Sequence, residues 1–275
     1  MAEDSGGIKG IPADVAFQAV NPSAAGPEPP VESGVVRLLM SRFCLLMTPM
    51  PTVSFVEAVT VPASEIAPVV AEVRDLLRGR QRRQAAWSVA SSDAEMLAAL
   101  RGHGMTAYVE PPLEPEYTSM ALVQPPLGRP SEDIVVRQAV ELEDFLAIGA
   151  LAEAILGLGA DDQAGFVESL KRRHRLQQEG RATMTGYVAL LDGRLVGEAQ
   201  AMLTTTGTNL SGSSVLPEAR GRGVYRALVA ARWDQAVGRG KPALTVQAGS
   251  MSRPILERLG FVTVSHRLML CDRFD

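Results

Sequence analysis

A stretch of pattern that occurs twice constrains this chain more than any single motif does. Pro62 recurs as Pro217, Val89 as Val246 and Gly104 as Gly260, at offsets of 155, 157 and 156 residues. Between these markers each half runs strand, proline, helix, strand, short helix, glycine and strand. A near-constant offset over so many elements points to a duplicated fold, one unit per half. The 275 residues suit two modest domains.

The first half reads as strands at Phe43–Met47 and Ser54–Val61 and a helix after Pro62 with Ile66, Val69, Val70, Val73, Leu76 and Leu77 on one face. A buried strand at Ala85–Ala90, a short helix at Asp93–Leu100 closed by Gly102 and Gly104, and a strand at Tyr117–Val123 follow. The second half opens with a strand at Ile134–Val140 and helices near Leu142–Leu156 and Asp162–Gln178. Three strands come next, at Thr185–Leu191, Leu195–Thr204 and Leu210–Leu216, with Asp192-Gly193 as a hairpin turn. A helix at Gly223–Val237, a strand at Ala243–Gln247, a short helix at Ser252–Leu259 and strands around Phe261 and Leu268 complete it. Residues 1–34, rich in Gly, Pro, Ala and Ser, read as a disordered tail, and Gln124–Ser131 as part of a linker. The expected organisation is therefore a tail over 1–34, a first domain over 35–125, a linker over 126–133 and a second domain over 134–275.

A net charge of −4 carries no electrostatic footprint for nucleic acid. The basic runs Arg78–Arg83 and Lys171–Arg175 are short and lack interleaved aromatics, which reads as solvated helix ends and faces. Cys44 and Cys271 sit in apolar surroundings and suggest no disulfide framework. His103, His174 and His266 lie far apart with no second ligand at metal spacing, so no metal is expected. Acids stand at the start where a signal peptide would carry basic residues, and no apolar stretch is long enough to cross a bilayer, so the expectation is a cytoplasmic protein without membrane partners.

Chemistry concentrates in Val215–Leu228, a strand that runs into a Gly-rich turn and then a helix. Such a turn aims backbone N–H groups at one point, and the helix N-terminus adds partial positive charge, which suits a pyrophosphate. A tight turn opening a helix is the plainer reading of Gly221 and Gly223. Arg220-Gly-Arg-Gly-Val-Tyr225 resembles the Arg/Gln-x-x-Gly-x-Gly/Ala loop with which GNAT acetyltransferases hold the pyrophosphate of CoA. Ile255-Leu-Glu-Arg-Leu-Gly-Phe261 resembles that family's second signature, a short helix before the last hairpin. The two occur in the family's order over about 140 residues.

The resemblance implies a mixed α/β fold, a mostly antiparallel sheet flanked by helices, here duplicated, and an acyl-CoA-dependent N-acetyltransferase that passes acetyl from acetyl-CoA to an amine by direct attack. It implies CoA contacts from Val215, Leu216, Arg220, Gly221, Arg222, Gly223, Val224, Tyr225, Arg226 and Ser252, with the backbone of Val215 and Leu216 holding the pantetheine arm. Departures affect catalysis. Tyr225 stands where the family prefers a small residue, and Gly249 and Leu256 replace an Asn and a Tyr found in many relatives. The carboxylate common on the strand before the loop is absent. Glu198 on the adjacent strand is then the nearest general base, or else a structural carboxylate. Ser250 and Ser252 read as CoA ligands, proton donors or helix caps, and Tyr187 and Tyr225 as other donors. In the first half, Glu65 and Pro68 replace the Gly-rich turn, which predicts no CoA binding there. That copy would shape the acceptor cleft, mediate a homodimer or stabilise its neighbour. A non-catalytic acyl-CoA sensor is the competing reading. The acceptor, a small-molecule or protein amine, would be chosen by variable segments around Leu156–Arg181.

Overall fold

The computed structural model describes residues 8, 10–109, 114–156 and 160–275. Helices α1 (Ala13–Val20) and α2 (Pro22–Ala25) come first, followed by strands β1 (Val36–Leu39), β2 (Cys44–Met47) and β3 (Ser54–Glu57). Helix α3 (Ile66–Arg78), β4 (Gln84–Ala90), α4 (Ala94–Gly102), β5 (Thr106–Ala107) and β6 (Glu116–Leu122) complete the first half. The second half comprises β7 (Ile134–Gln138), α5 (Leu142–Leu156), α6 (Ala160–Gln178), β8 (Met184–Leu191), β9 (Arg194–Leu203) and β10 (Thr208–Val215). It ends with α7 (Val224–Gly238), β11 (Leu244–Ala248), α8 (Arg253–Arg258) and β12 (Val262–Arg273).

All the described strands join one sheet in the order β1-β2-β3-β4-β12-β6-β11-β10-β9-β8-β7, with β5 beside β12. Two pairs are parallel, β3 with β4 and β10 with β11, and each is short. In each, a helix connects the two strands, as a parallel pair requires. Asp192 and Gly193 both take positive φ in the β8–β9 turn, as the Asp-Gly pair predicts.

The order corrects the expected division into two self-contained domains. The closing strand of the first half, β6, lies between β11 and β12 of the second, and β12 pairs along seven residues with β4 of the first. The expected last hairpin around Phe261 and Leu268 does not form. Thr263-Val-Ser-His-Arg-Leu268 holds no Gly, Pro, Asn or Asp, so the chain continues as one 12-residue strand with only a register shift between Thr263 and Ser265. Residues 127–133 between the halves are exposed, with the Leu127 amide donating to the Leu259 carbonyl at 3.0 Å.

Strand alternation sorts the core onto two faces. Trp87, Val89 and Leu270 pack under α3 and α4, and Met120, Leu244 and Val246 under α7 and α8. Side chains of the opposite parity meet α1, through Ala121, and α5 and α6, through Val188.

The segment expected as a tail is ordered from residue 10 onward and forms part of the core. Val15 and Ala19 of α1 are buried against Ala121 and Ala243. Gln18 is fully buried, and its amide nitrogen donates to Thr245 Oγ1 at 2.7 Å while its oxygen accepts from Thr204 Oγ1 at 2.6 Å and from Thr206. The Glu57 carboxylate accepts from the Ser23 amide at 2.9 Å, and Asn21 Oδ1 accepts from the Ala58 amide at 2.9 Å. Low hydrophobicity hides these anchors because they are hydrogen bonds, not apolar contacts. In the basic run at residues 78–83, Arg78, Arg80 and Arg83 are exposed, but Arg82 departs from the solvated reading: it donates to the carbonyls of Thr48, Met50 and Val53 and so closes the β2–β3 turn. Replacing Gln18 with Leu leaves the Thr204 and Thr245 hydroxyls short of partners. It should lower the unfolding free energy by about 1–3 kcal/mol in urea denaturation, and an unchanged midpoint would show that α1 is not held through this amide.

Candidate active site

Strands β10 and β11 pair only from Thr208 to Leu210 and from Leu244 to Val246, and then part. A β-bulge between Leu210 and Ser213 turns β10 away, with Gly212 at φ 73°. Beyond it, Ser213, Ser214 and Val215 pair only with β9. The Leu216 amide donates to the Val196 carbonyl at 2.9 Å, so it faces β9 and not the opening. Neighbouring peptides point opposite ways in a strand, which leaves the Val215 peptide on the open side, its carbonyl accepting from Arg220 Nε at 3.3 Å. Of the two backbone positions expected to hold a pantetheine arm, only Val215 is therefore free on the open side.

The Gly-rich turn lies at the mouth of this opening. Gly221 has φ 76°, Gly223 has φ 91° and serves as the N-cap of α7, with no side chain capping the helix. Both angles are in the left-handed region that glycine alone adopts cheaply. A Cβ on Gly221 would meet nothing within 4 Å, so the turn is open in front. The first amides of α7, at Val224, Tyr225 and Arg226, have no intrahelical acceptor. Arg220 and Arg222 are exposed beside them. Free amides at a helix N-terminus behind an open glycine turn can hold an anionic group such as a phosphate.

Other candidates separate. The Tyr225 ring packs with the core under α7 and α8, away from the turn, and burial pushes its phenol upward. Such a phenol is a poor donor at the opening. Arg226 lies against Gly128 rather than over the turn. Ser252 precedes α8, its hydroxyl 3.4 Å from the Gly249 carbonyl. The Ser250 amide donates to Glu114 Oε2 at 2.8 Å, and a Cβ on residue 249 would displace the end of that flexible side chain. Tyr187 is buried on the α7 face, its phenol pushed up by burial. The expected acceptor segment includes residues 157–159, which lie outside those described.

Glu198 is where the site becomes chemical. It is 1% exposed, pairs across β9–β10 with Ser214, and faces α6. Burial pushes its carboxyl up to about 7, against the pull of a hydrogen bond from Ser214 and the charges of Arg232 and Arg173. Its Oε2 has no hydrogen-bond partner. Arg232 of α7 is fully buried and donates to the Leu228 carbonyl at 2.9 Å and the Gln200 carbonyl at 3.2 Å. Arg173 corrects the solvated reading of Lys171–Arg175. Its guanidinium is buried, donates to Gln200 Oε1 at 2.6 Å and is drawn down to about 10 by burial. The signal for this was present in the sequence, since Phe166, Leu170 and Arg173 share one helical face.

Residues 153–269 match the family described as acetyltransferase (GNAT) domain. The match begins in α5 and ends in β12, spanning the turn, Glu198 and the splayed strands. Solved structures share the mixed, mostly antiparallel architecture. A GCN5-related N-acetyltransferase from Kribbella flavida superposes with a TM-score of 0.61 at 13% identity, covering 88% of this chain and 90% of its own. One from Sphaerobacter thermophilus gives 0.61 at 15% identity, covering 95% and 94%. A tandem GNAT protein from the clavulanic acid biosynthesis pathway gives 0.57 at 16% identity, covering 94% and 93%. No curated protein matches this chain. Among the described residues no group of His, Cys, Asp and Glu could hold a metal, and no helix is long and apolar enough to cross a membrane.

The raised Glu198 carboxyl has a measurable consequence. The folded state holds this proton more tightly than the unfolded chain, so the contribution of Glu198 to stability falls as pH rises from about 4.5 to about 7. A Glu198→Gln variant should gain stability relative to the parent across that interval, by up to roughly 3 kcal/mol, and hold the gain above it. A difference independent of pH in paired denaturation curves would show that Glu198 ionises normally.

Proposed function

We propose that the chain is an acyl-CoA-dependent N-acetyltransferase that transfers acetyl from acetyl-CoA to an amine. The observation that carries this is the uncapped N-terminus of α7 behind the open Gly221–Gly223 turn, at the mouth of the β10–β11 opening. The pyrophosphate would sit on the amides at the start of α7, and the arm would run along Val215 into the opening. The thioester would then lie near the bulge, beside Ser214 and Glu198.

An alkyl ammonium at neutral pH cannot attack, because its lone pair carries a proton. Glu198, with a carboxyl near 7, is matched to take that proton. The freed nitrogen forms a bond to the acetyl carbon, the carbon–sulfur bond breaks, and CoA leaves as thiolate, taking up the second proton that the acylated nitrogen sheds. Amine and acetyl-CoA thus give amide and CoA, with the ammonium's proton passing through Glu198 to solvent. Holding both reactants in line supplies much of the acceleration.

In this reading the chain is a tandem pair of GNAT-like halves and only the second binds CoA. Both halves have a 3₁₀ turn after or at the shared proline, at Ala63–Glu65 and at Pro217–Ala219, but in the first half α3 starts at once at Ile66 with no glycine turn before it, and Glu65 would set a carboxylate against the phosphates. The first half then serves the second through β6.

Titration calorimetry with acetyl-CoA should show binding that is lost, or weakened at least about tenfold, when Gly221 and Gly223 are both changed to Val, since β-branched residues are strained at positive φ. Absence of binding by the parent overturns the proposal. With a turned-over amine, Glu198→Gln should lower kcat by roughly 10²–10⁴ while acetyl-CoA affinity holds, and an unchanged kcat would assign Glu198 a structural role only.

A further inference from the structure

We infer that the acceptor is an α-amino acid, with Glu198 receiving its ammonium group and Arg173 its carboxylate. The inference rests on the acetyltransferase reading and names the acceptor of that same site.

Arg173 reaches from α6 onto β9 and spends one nitrogen on Gln200 Oε1 at 2.6 Å. Its Nε and Nη2 are buried and have no partner. These two nitrogens form one edge of the guanidinium fork, the edge that receives a carboxylate through two parallel hydrogen bonds. Glu198 stands two residues before Gln200 on the same face of β9, about 6–7 Å along the strand. Its Oε2 is buried and also unpartnered. A carboxylate oxygen and a guanidinium edge are thus enclosed on one patch of sheet, and neither has a hydrogen-bond partner.

Buried polar atoms in folded proteins nearly always find partners, so three orphans on two neighbouring side chains call for an explanation. An α-amino acid supplies both missing groups from one carbon. Its ammonium gives the donor Glu198 lacks and its carboxylate the two acceptors Arg173 lacks. The same pose places the nitrogen beside Ser214 of β10, next to the opening where the thioester would lie. An amine without a carboxylate would leave the buried guanidinium unpaired. A site built for a polar group rejects analogues that lack it by large factors, because its own polar atoms are then stranded.

The test uses the full chain with saturating acetyl-CoA. CoA release is followed with each of the twenty protein amino acids and with the matching α-amides, which keep the amine and lose the carboxylate. At least one amino acid should turn over, with kcat/KM about 10² or more above its amide. Arg173→Met should collapse that ratio towards one, and Arg173→Lys, which keeps the charge but not the fork, should restore only part of it. Acetyl-CoA affinity by calorimetry should stay within about twofold in both variants. Turnover of amides as good as that of acids, an acid-to-amide ratio unchanged in Arg173→Met, or acetyl-CoA binding without turnover of any amino acid overturns the inference. The comparison on the parent protein decides the matter even if Arg173→Met fails to fold. Failure of the parent to bind acetyl-CoA is a different result, which overturns the acetyltransferase reading and this inference with it.

Discussion

The exchange of strands between the halves is the constraint from which the rest follows. A mixed sheet that opens between two parallel strands keeps its shape only if the flank of each is held from the other side. For β11 that support is β6, hydrogen-bonded from Leu244 to Ala248. For β4 it is β12, paired from Gln84 to Ala90. Neither half supplies its own support, so the opening that would admit the pantetheine arm depends on backbone contributed from more than a hundred residues away. The α1 helix reinforces the arrangement, since Gln18 joins the turn after β9 to β11 across the base of the same opening.

The site shows how burial is turned to use. A buried carboxylate and two buried guanidinium groups would each be costly alone. Mutual attraction keeps Arg173 and Arg232 charged and keeps Glu198 from rising further, and the incomplete hydrogen bonding leaves Glu198 titrating near neutrality. By contrast Glu57, also pushed up to about 7 by burial, accepts the Ser23 amide and serves to hold α2. In the proposed reading, two buried glutamates of similar acidity have different work, separated by whether their oxygens are satisfied.

How much could be read from the sequence followed the range of the interaction. The Gly221–Gly223 turn is local, and its conformation follows from residue type within six positions. Amphipathic α3 and the Asp192-Gly193 hairpin are local too, and the sequence reading located each correctly. Glu198 could be named because it neighbours the loop strand, though its burial could not. What escaped depends on partners distant in sequence. Nothing in Tyr117–Val123 or Thr263–Leu268 says which strands they will join, because period-two alternation is the same in any sheet. The N-terminal segment is anchored through Gln18, Asn21 and the Ser23 amide, polar contacts that its composition disguised as a tail. Arg173 is the instructive intermediate case, since its helical face carried the information and its charged neighbours obscured it.

The exchanged strands also bear on how the molecule is made. The partner that flanks β4 is β12, which is translated long after it. Until then the first half has an open sheet edge at β4, and β6 waits for β11, which is translated more than a hundred residues later. Pairings this distant carry a high entropic cost of loop closure and favour slow folding. The first half is therefore committed to an unfinished, association-prone state for most of its synthesis, and the vulnerable period in this protein's life is set by the translation time of its second half.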